Sequence, residues 1–296
     1  MSCDSCRLVW MGKRPLKDDV RYLYNEYHTH TVDLSERYVR GWRKYAKEKL
    51  LGAALGYGNL SFLNKCIFGS IVAFRPTFDS VAGRWMWLHK KENALLLDVG
   101  SGNGFYLNRM RALGWKTRGV EFDPNAVKCA NEELKLDVRC GSLEDAGFES
   151  GQFDAITMGH VVEHLYDPLS TLSECHRILK TGGEIIITTP NIESLASKVF
   201  RQNWRGLEVP RHLHIFSTRS LRKLAESVGF ETRVVRTTAR YASGFFTTSQ
   251  HLAGKKQSKI FAKVFQVFEQ LAELVYPCGE ELLLIATKVQ DTPNSA

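Results

Sequence analysis

The chain has 296 residues, of which 44% are hydrophobic, and a formal net charge of +8. This length can bury a full core, so one large domain with appendages is expected rather than a small disulfide scaffold. No apolar run reaches the roughly 18 residues of a membrane-spanning helix, and we see no secretory signal. The seven cysteines form no regular framework, which indicates a reducing, cytoplasmic location.

The positive charge is unevenly distributed. Residues 1–91 carry the whole excess of +8, and the rest of the chain is neutral overall. Such a region suits nucleic acid, anionic lipid headgroups or a phosphorylated acceptor, and a solvated helical face explains it as well. We favour the solvated face and do not expect nucleic acid as a partner. Cys3 and Cys6 have zinc-knuckle spacing, but no second pair follows to complete four ligands, so we predict no metal site.

A strand, a tight turn and a helix are predicted between residues 95 and 114. The apolar run at 95–97 is typical of a strand buried on both faces, and it leads into the motif Asp98-Val-Gly100-Ser-Gly102-Asn-Gly104. Glycine allows backbone angles that are closed to other residues, and it lets a ligand approach the main chain.

The glycine spacing discriminates between ligands. A dinucleotide fingerprint needs a third glycine three residues after Gly102, where this chain has Phe105. Asp98 would repel a phosphate but suits a ligand with positive charge. An NAD(P)-dependent oxidoreductase is therefore disfavoured.

Short strands and helices alternate along the chain. We predict strands at residues 116–120, 136–140, 153–158, 184–189, 230–236 and 281–288, and helices at 77–91, 105–113, 125–134, 169–179, 218–229 and 256–276. This alternation indicates a mostly parallel sheet with helices on both faces. The helix at 256–276 has a broad apolar stripe, which we interpret as packed on the core or on a partner chain. A membrane-surface contact is the less favoured interpretation.

An acid follows the second predicted strand, 21 residues after Gly100. Glu121 stands where a ribose diol would be held, and Phe122 comes next. The alternative is that Glu121 or Asp123 stabilises the start of the helix that begins at Pro124. We favour ribose binding, and Glu121 over Asp123.

Three phrases of the chain resemble one family. The D-x-G-x-G-x-G motif, the segment GHVVEHLYDP at 159–168 and the segment WRGLEVPRHLH at 204–214 are similar to those of class I S-adenosylmethionine-dependent methyltransferases. The resemblance implies a Rossmann-like, seven-stranded, mostly parallel sheet with an antiparallel last strand and an N-terminal helical cap. It implies S-adenosylmethionine as the cofactor, held by Asp98, Gly100, Ser101, Gly102, Gly104, Glu121, Phe122, Ser142, Leu143 and Gly159.

The resemblance also suggests how the chain is divided. We expect a basic helical cap at 1–91, with a zinc-ribbon remnant at 1–15, and a methyltransferase domain at 92–290 with a helical insertion at 240–278. The tail at 291–296 should be disordered. We interpret residues 50–75 as a lid over the active site.

The expected reaction is O-methylation of a small-molecule, sugar or glycan hydroxyl. A hydroxyl acceptor needs a base, and histidine is suitable near neutral pH. Our candidates are His212, then His160 and His164, while His214 would share a face with His212 in an extended segment. A cofactor-binding module without catalysis remains the alternative.

Overall fold

The computed structural model of the protein describes residues 1–16 and 42–290. The strands are β1 Val9–Trp10, β2 Leu95–Val99, β3 Lys116–Glu121, β4 Val138–Cys140, β5 Phe153–Gly159, β6 Leu179–Pro190, β7 His214–Ile215, β8 Phe230–Thr238 and β9 Glu281–Lys288. The helices are α1 Trp42–Leu55, α2 Phe62–Ala73, α3 Arg75–Ala82, α4 Phe105–Ala112, α5 Pro124–Glu132, α6 Pro168–Ile178, α7 Leu195–Phe200, α8 Thr218–Ser227, α9 Ala242–Leu252 and α10 Lys259–Ala272. The predicted disordered tail at 291–296 lies outside the described residues.

The centre of the fold is a seven-stranded sheet in the order β4-β3-β2-β5-β6-β9-β8. Neighbouring strands are parallel except where β9 is involved, because β9 runs antiparallel to both β6 and β8. The predicted Rossmann-like sheet with an antiparallel last strand is confirmed.

Both faces of the sheet are covered, because successive strand residues point to opposite sides. Leu96 joins the core beneath α1, α4 and α5, and its neighbour Leu97 joins the core beneath α6 and α8. Both side chains are fully buried, as the apolar run of β2 predicts.

The predicted helix at 77–91 is wrong in extent. Helix α3 ends at Ala82, a 3-10 turn covers Gly83–Trp85, and Met86 and Trp87 take left-handed backbone angles that no helix continues. The turn buries Trp87, whose Nε1 donates to Asp79 Oδ1 at 2.9 Å. The helix ends early because the chain turns here to bury this indole.

The lid expected over the active site at 50–75 stays a prediction, and this stretch does not line the pocket described below. The end of α1 packs into the core beside Leu96, and none of the residues that line the pocket comes from this stretch. Helix α2 instead exposes apolar side chains to solvent, among them Phe62 and Leu63.

Segment 1–16 joins the main domain through β1, which pairs antiparallel with β7. Cys3 and Cys6 lie at the turn before β1, and Ser217 Oγ donates to the carbonyl of Cys6 at 2.7 Å. None of the seven cysteines, all of which lie in the described part of the chain, forms a disulfide.

Helix α10 confirms the helix expected at 256–276, but its apolar stripe is not packed on the core of this chain; packing on a partner chain stays a prediction. The side that faces the protein carries Ala262 and Glu269, whereas Ile260, Phe261 and Phe268 of the apolar stripe are exposed. Among the residues described, no helix is long and apolar enough to cross a membrane.

Candidate active site

The glycine loop begins where β2 ends, and all three of its glycines have left-handed backbone angles, with φ of +72° at Gly100, +53° at Gly102 and +77° at Gly104. Packing adds a second requirement at two of them. A Cβ on Gly100 would lie 2.3 Å from Val161 Cγ2, and a Cβ on Gly104 would lie 2.4 Å from Leu136 Cδ1. These two glycines therefore allow the loop to pack closely on its neighbours.

The loop offers main-chain groups rather than side chains to a ligand. The Ser101 side chain is buried and points toward Gly119, where an added Cβ would lie 2.8 Å from Ser101 Oγ. The Gly102 N–H donates to Glu121 Oε2 at 2.8 Å, which ties the loop to the end of β3.

Glu121 and Asp123 have different roles at the end of β3. Glu121 accepts main-chain N–H groups from Gly102 and, through Oε1, from Asp123 at 3.0 Å, so its carboxylate lies at the ligand side of the loop. Asp123 caps α5 by accepting from the N–H of Asn125 at 2.9 Å. The choice of Glu121 as the ribose acid stays a prediction. Phe122 is 55% exposed between them.

Asp98 is almost fully buried next to the loop. Its Oδ1 accepts a 2.6 Å hydrogen bond from Thr157 Oγ1. Burial raises the pKa of Asp98 to about 7, although the hydrogen bond opposes the shift. A cationic ligand nearby would favour the ionised carboxylate.

Ser142 and Leu143 follow β4, at the same edge of the sheet. Ser142 Oγ donates to Asp145 Oδ2 at 2.7 Å and accepts from the Asp145 N–H, and Leu143 is buried in the core. Of Leu143, only the main chain remains available to a ligand. Glu144, the next residue, accepts from Thr171 Oγ1 at 2.8 Å.

His160 lies directly after Gly159 at the end of β5 and carries a left-handed φ of +56°. Its ring lies between two fully buried carboxylates, with Nδ1 3.3 Å from Glu163 Oε1 and Nε2 2.7 Å from Glu281 Oε1. Burial alone would lower the pKa of His160, but the carboxylates outweigh it and raise the pKa to about 10. His160 is therefore a fixed cation at neutral pH.

The pKa of His212 is shifted in the opposite direction to that of His160. Its Nδ1–H donates to the carbonyl of Gly206 at 2.6 Å, and its Nε2 lies 3.3 Å from Glu208 Oε2 and 4.0 Å from Glu163 Oε1. Burial lowers the pKa of His212 below its ordinary value, against the pull of the carboxylates. The imidazole is therefore neutral near pH 7, and the unprotonated nitrogen is Nε2.

The three candidate histidines border one pocket of about 300 Å³, which we call the His212 pocket. His164 lies against His212 with ring centroids 4.6 Å apart. The lining residues are His160, His164, Pro190, Arg205, Gly206, Glu208, His212, Tyr241, Gly244, Phe245 and Thr248. The sheet and the segment after β6 thus bring together side chains that are distant in sequence.

Segment 204–213 is held in place by buried polar contacts. Trp204 Nε1 donates to Glu280 Oε2 at 2.8 Å, the Arg205 N–H donates to Ser249 Oγ of α9 at 2.9 Å, and the Leu213 N–H donates to the Glu163 carbonyl at 2.8 Å. Glu208 is ion-paired with Arg205 and Arg211, and these arginines keep its pKa low despite its burial. The wall of the pocket is therefore rigid and charged.

His214 does not share a face with His212. It belongs to β7, pairs with Trp10 of β1 and contacts Arg14 at 3.2 Å, so it lies outside the pocket lining. The condition for a shared face, an extended segment that includes both histidines, is not met, because His214 and Ile215 are in a strand and His212 is not.

Some lining residues were not among our candidates. Tyr241, Phe245 and Thr248 come from α9 and the residue before it, and Glu281 holds His160. An aromatic-rich helix in an insertion is the only signal in the sequence, and it does not distinguish a pocket wall from ordinary packing.

One group of three side chains has the donor set for a metal ion. The ligand atoms of Glu163, His164 and His212 all lie within 4.8 Å of one another. The carboxylate of Glu163 already faces the His160 cation at 3.3 Å and accepts from Thr189 Oγ1 at 2.9 Å. Our expectation of a metal-free site stays a prediction.

The family follows from a direct comparison. The sequence profile of a methyltransferase-domain family matches residues 78–235, which is more than half of the chain. The chain belongs to this family, and its sheet order and glycine loop are those of the class I S-adenosylmethionine-dependent methyltransferases. S-adenosylmethionine is the cofactor of that class. The groups at the carboxyl edge, a main-chain loop beside Glu121 and Asp98, suit its ribose and its positive charge.

Two curated relatives carry the same name. Ubiquinone biosynthesis O-methyltransferase of Xanthomonas oryzae pv. oryzae is 36% identical over 104 residues, covering 33% of this chain and 44% of that protein. The protein of the same name from Thiobacillus denitrificans is 28% identical over 174 residues, covering 54% of this chain and 75% of that protein. The chain thus spans less than half the length of the first of these relatives.

Solved structures share the fold. A chain from the complex between the Haloferax volcanii Trm112 methyltransferase activator and its methyltransferase has a TM-score of 0.55 and 18% identity, covering 79% of this chain and 98% of that chain. A SAM-dependent methyltransferase from Archaeoglobus fulgidus has a TM-score of 0.50 and 20% identity, covering 75% of this chain and 99% of that chain. At these identities the likeness concerns the fold alone.

Proposed function

We propose that the protein is an O-methyltransferase that carries the methyl group of S-adenosylmethionine to a hydroxyl bound in the His212 pocket. The observation that carries this proposal is the state of His212, a neutral imidazole whose Nδ1–H is held by the Gly206 carbonyl and whose Nε2 is unprotonated. A hydroxyl loses a proton when it is methylated, and a positioned base of this kind removes it.

The chain's own residues then have defined roles. S-adenosylmethionine, when bound, supplies a methyl group that is already activated, so positioning and exclusion of water are the main requirements. His212 Nε2 would accept the proton of the acceptor hydroxyl, so that the acceptor oxygen can take the methyl group that the cofactor would supply. Glu208 and Glu163, at 3.3 and 4.0 Å, stabilise the resulting imidazolium.

His160 is not the base in this proposal. It is already protonated between Glu163 and Glu281, so it fixes the position of Glu163 instead of accepting a proton. His164 supports the ring of His212 from the side.

The cofactor is assigned to the carboxyl edge of β2 to β5. We propose main-chain contacts from the glycine loop, including Ser101, and from Leu143, with Gly159 next to the methyl group. The carboxylate of Glu121 would accept from the ribose hydroxyls, and Asp98 would face the positive charge. Phe122 and Ser142 would border the adenine.

The size of the pocket limits the acceptor. About 300 Å³ is at the lower end for small-molecule sites, so a single ring of a sugar, a glycan end or a phenol fits. The name shared by the curated relatives supports a small-molecule hydroxyl. A sugar or glycan acceptor and a cytoplasmic location remain predictions.

Isotope labelling tests the proposal. The full chain is incubated with methyl-labelled S-adenosylmethionine and a cell extract, and labelled products are identified by mass spectrometry. We expect the label in a methyl ether. Calorimetric binding of S-adenosylmethionine without any labelled product would favour the silent module, and heat from NADH alone would favour an oxidoreductase. Label on nitrogen would contradict the role of His212 as a base for a hydroxyl.

A further inference from the structure

Helix α10 presents its most apolar side to solvent. Nine side chains between Ile260 and Tyr276 are 47–93% exposed and together form what we call the apolar face: Ile260, Phe261, Val264, Val267, Phe268, Leu271, Leu274, Val275 and Tyr276. Soluble monomers rarely expose a contiguous apolar patch of this extent, so the face indicates a binding surface.

The orientation of α10 is fixed by the opposite side of the helix. Phe265 stacks on Phe246 of α9 with ring centroids 4.5 Å apart. Glu273 accepts from Thr237 Oγ1 at 2.6 Å and from the Ala239 N–H at 2.9 Å, and Glu269 is fully buried. The helix cannot rotate its apolar face inward without breaking these contacts.

The charge around the apolar face has one sign. Four exposed lysines, Lys255, Lys256, Lys259 and Lys263, precede it or lie along it. The two acids of this stretch, Glu269 and Glu273, are 0% and 7% exposed, so they contribute little negative charge to the surface. A second copy of the chain would bring like charges together, whereas anionic phosphates would neutralise them.

Helix α2 adds a second surface of the same kind. Its exposed apolar residues include Phe62, Leu63 and Ile67, and its charged residue, Lys65, is basic. The start of α3, which follows α2 directly, meets the end of α10, because Arg75 donates to the carbonyl of Glu273 at 3.2 Å.

We propose that the apolar face of α10 binds the surface of an anionic lipid bilayer. Exposed apolar side chains next to lysines, on a helix too short to span a membrane, are the features of an interfacial helix. A protein partner is disfavoured, because the nine side chains of the apolar face are mostly hydrocarbon and offer few polar groups that would orient a partner. A lipid surface requires only apolar area and positive charge.

The apolar face lies close to the His212 pocket, so membrane binding through this face would affect the position of the pocket. Helix α9 contributes Phe245 and Thr248 to the His212 pocket, and its Phe246 packs on α10. Docking of α10 would therefore hold the pocket close to the lipid surface. An acceptor dissolved in the bilayer is the class of substrate this arrangement serves, and this last step alone rests on the proposed function.

Vesicle sedimentation tests the proposal without any methyl acceptor, so its result is independent of the proposed function. The full chain is spun with phosphatidylcholine vesicles and with vesicles containing about one quarter phosphatidylglycerol. We expect stronger binding to the anionic vesicles, falling about fivefold for each lysine removed in Lys259→Gln and Lys263→Gln.

The decisive variant is Phe261→Ser combined with Phe268→Ser, which should weaken vesicle binding at least tenfold. Leu169→Ser is the matched control, because Leu169 of α6 is 49% exposed outside the face. Binding of S-adenosylmethionine checks that each variant is folded. The proposal is overturned if the wild type binds neither vesicle, if the double variant binds as well as the wild type, or if light scattering shows a dimer that the double variant dissociates.

Discussion

The carbonyl of Gly206 accepts the Nδ1–H of His212 at 2.6 Å, and this contact decides which ring nitrogen carries the proton. The Nε2 atom is left unprotonated beside Glu208 and Glu163. A carbonyl selects the tautomer, and two carboxylates then stabilise the protonated ring. The same division of roles orients the histidine of other acid–base sites.

Glu208→Gln tests the stabilisation of the imidazolium. Loss of a negative charge 3.3 Å from Nε2 lowers the pKa of His212 further and makes it a weaker base. We expect kcat at pH 7 to fall about tenfold and the acid limb of the pH–rate profile to move to lower pH. Glu226→Gln on α8 is the control. An unchanged profile in Glu208→Gln would remove the carboxylate from the mechanism.

Glu121→Ala tests the ribose contact. We expect the affinity for S-adenosylmethionine to fall at least tenfold, about 1.4 kcal/mol, because a charged acceptor for two hydroxyls is lost. Asp123→Asn is the matched control, since asparagine also caps a helix and should preserve affinity. Titration calorimetry measures both variants, and wild-type affinity in Glu121→Ala would return Glu121 to a role in loop structure.

Asp98 predicts a pH dependence of cofactor binding. Its pKa in the folded protein without ligand is about 7, well above the ordinary value, so it is partly protonated at neutral pH. A cationic ligand binds the ionised form, so affinity should be full above pH 7. Below it, affinity should fall by about tenfold per pH unit. Calorimetry between pH 5.5 and 8 checks the slope, which Asp98→Asn should abolish.

Gly104→Ala tests the packing of the loop. An added Cβ would lie 2.4 Å from Leu136 Cδ1 at a residue with φ of +77°, so strain and overpacking combine. We expect a loss of about 2–4 kcal/mol in the free energy of unfolding. Gly114→Ala is the control, because its φ is +98° but nothing lies within 4 Å of the added Cβ. Equal losses from urea titrations of the two variants would contradict the packing argument.

The cofactor edge was predictable from the sequence because its signals are local. A buried strand, a glycine turn and an acid at the next strand end follow from side-chain period and turn chemistry, and the structure places Asp98, Gly102 and Glu121 together. The residues of the pocket wall were harder to predict from the sequence. His160 contacts Glu281, which is 121 positions away in the sequence, and no local sequence pattern predicts such a pair.

Helix α10 shows why a helix can be predicted correctly while the packing of its apolar side stays open. The period of its apolar residues predicts a helix with one apolar side, but not which side faces the protein. Glu269 and Glu273 decide the orientation through buried contacts with the core, and the pKa of Glu269 rises to about 10 through burial and the neighbouring Glu280. A pattern of apolar residues does not predict that an acidic residue of the helix will be buried.

The central claim is that His212 Nε2 takes the proton of the acceptor hydroxyl. The most direct measurement is the rate of methyl transfer at saturating S-adenosylmethionine, for the wild type and His212→Gln, between pH 5 and 9. The wild-type rate should rise with pH through a pKa below 6.5, because burial lowers the pKa of His212. The variant should be at least about 100-fold slower, with no such rise and unchanged cofactor affinity. A variant with the wild-type rate and pH profile would contradict the mechanism.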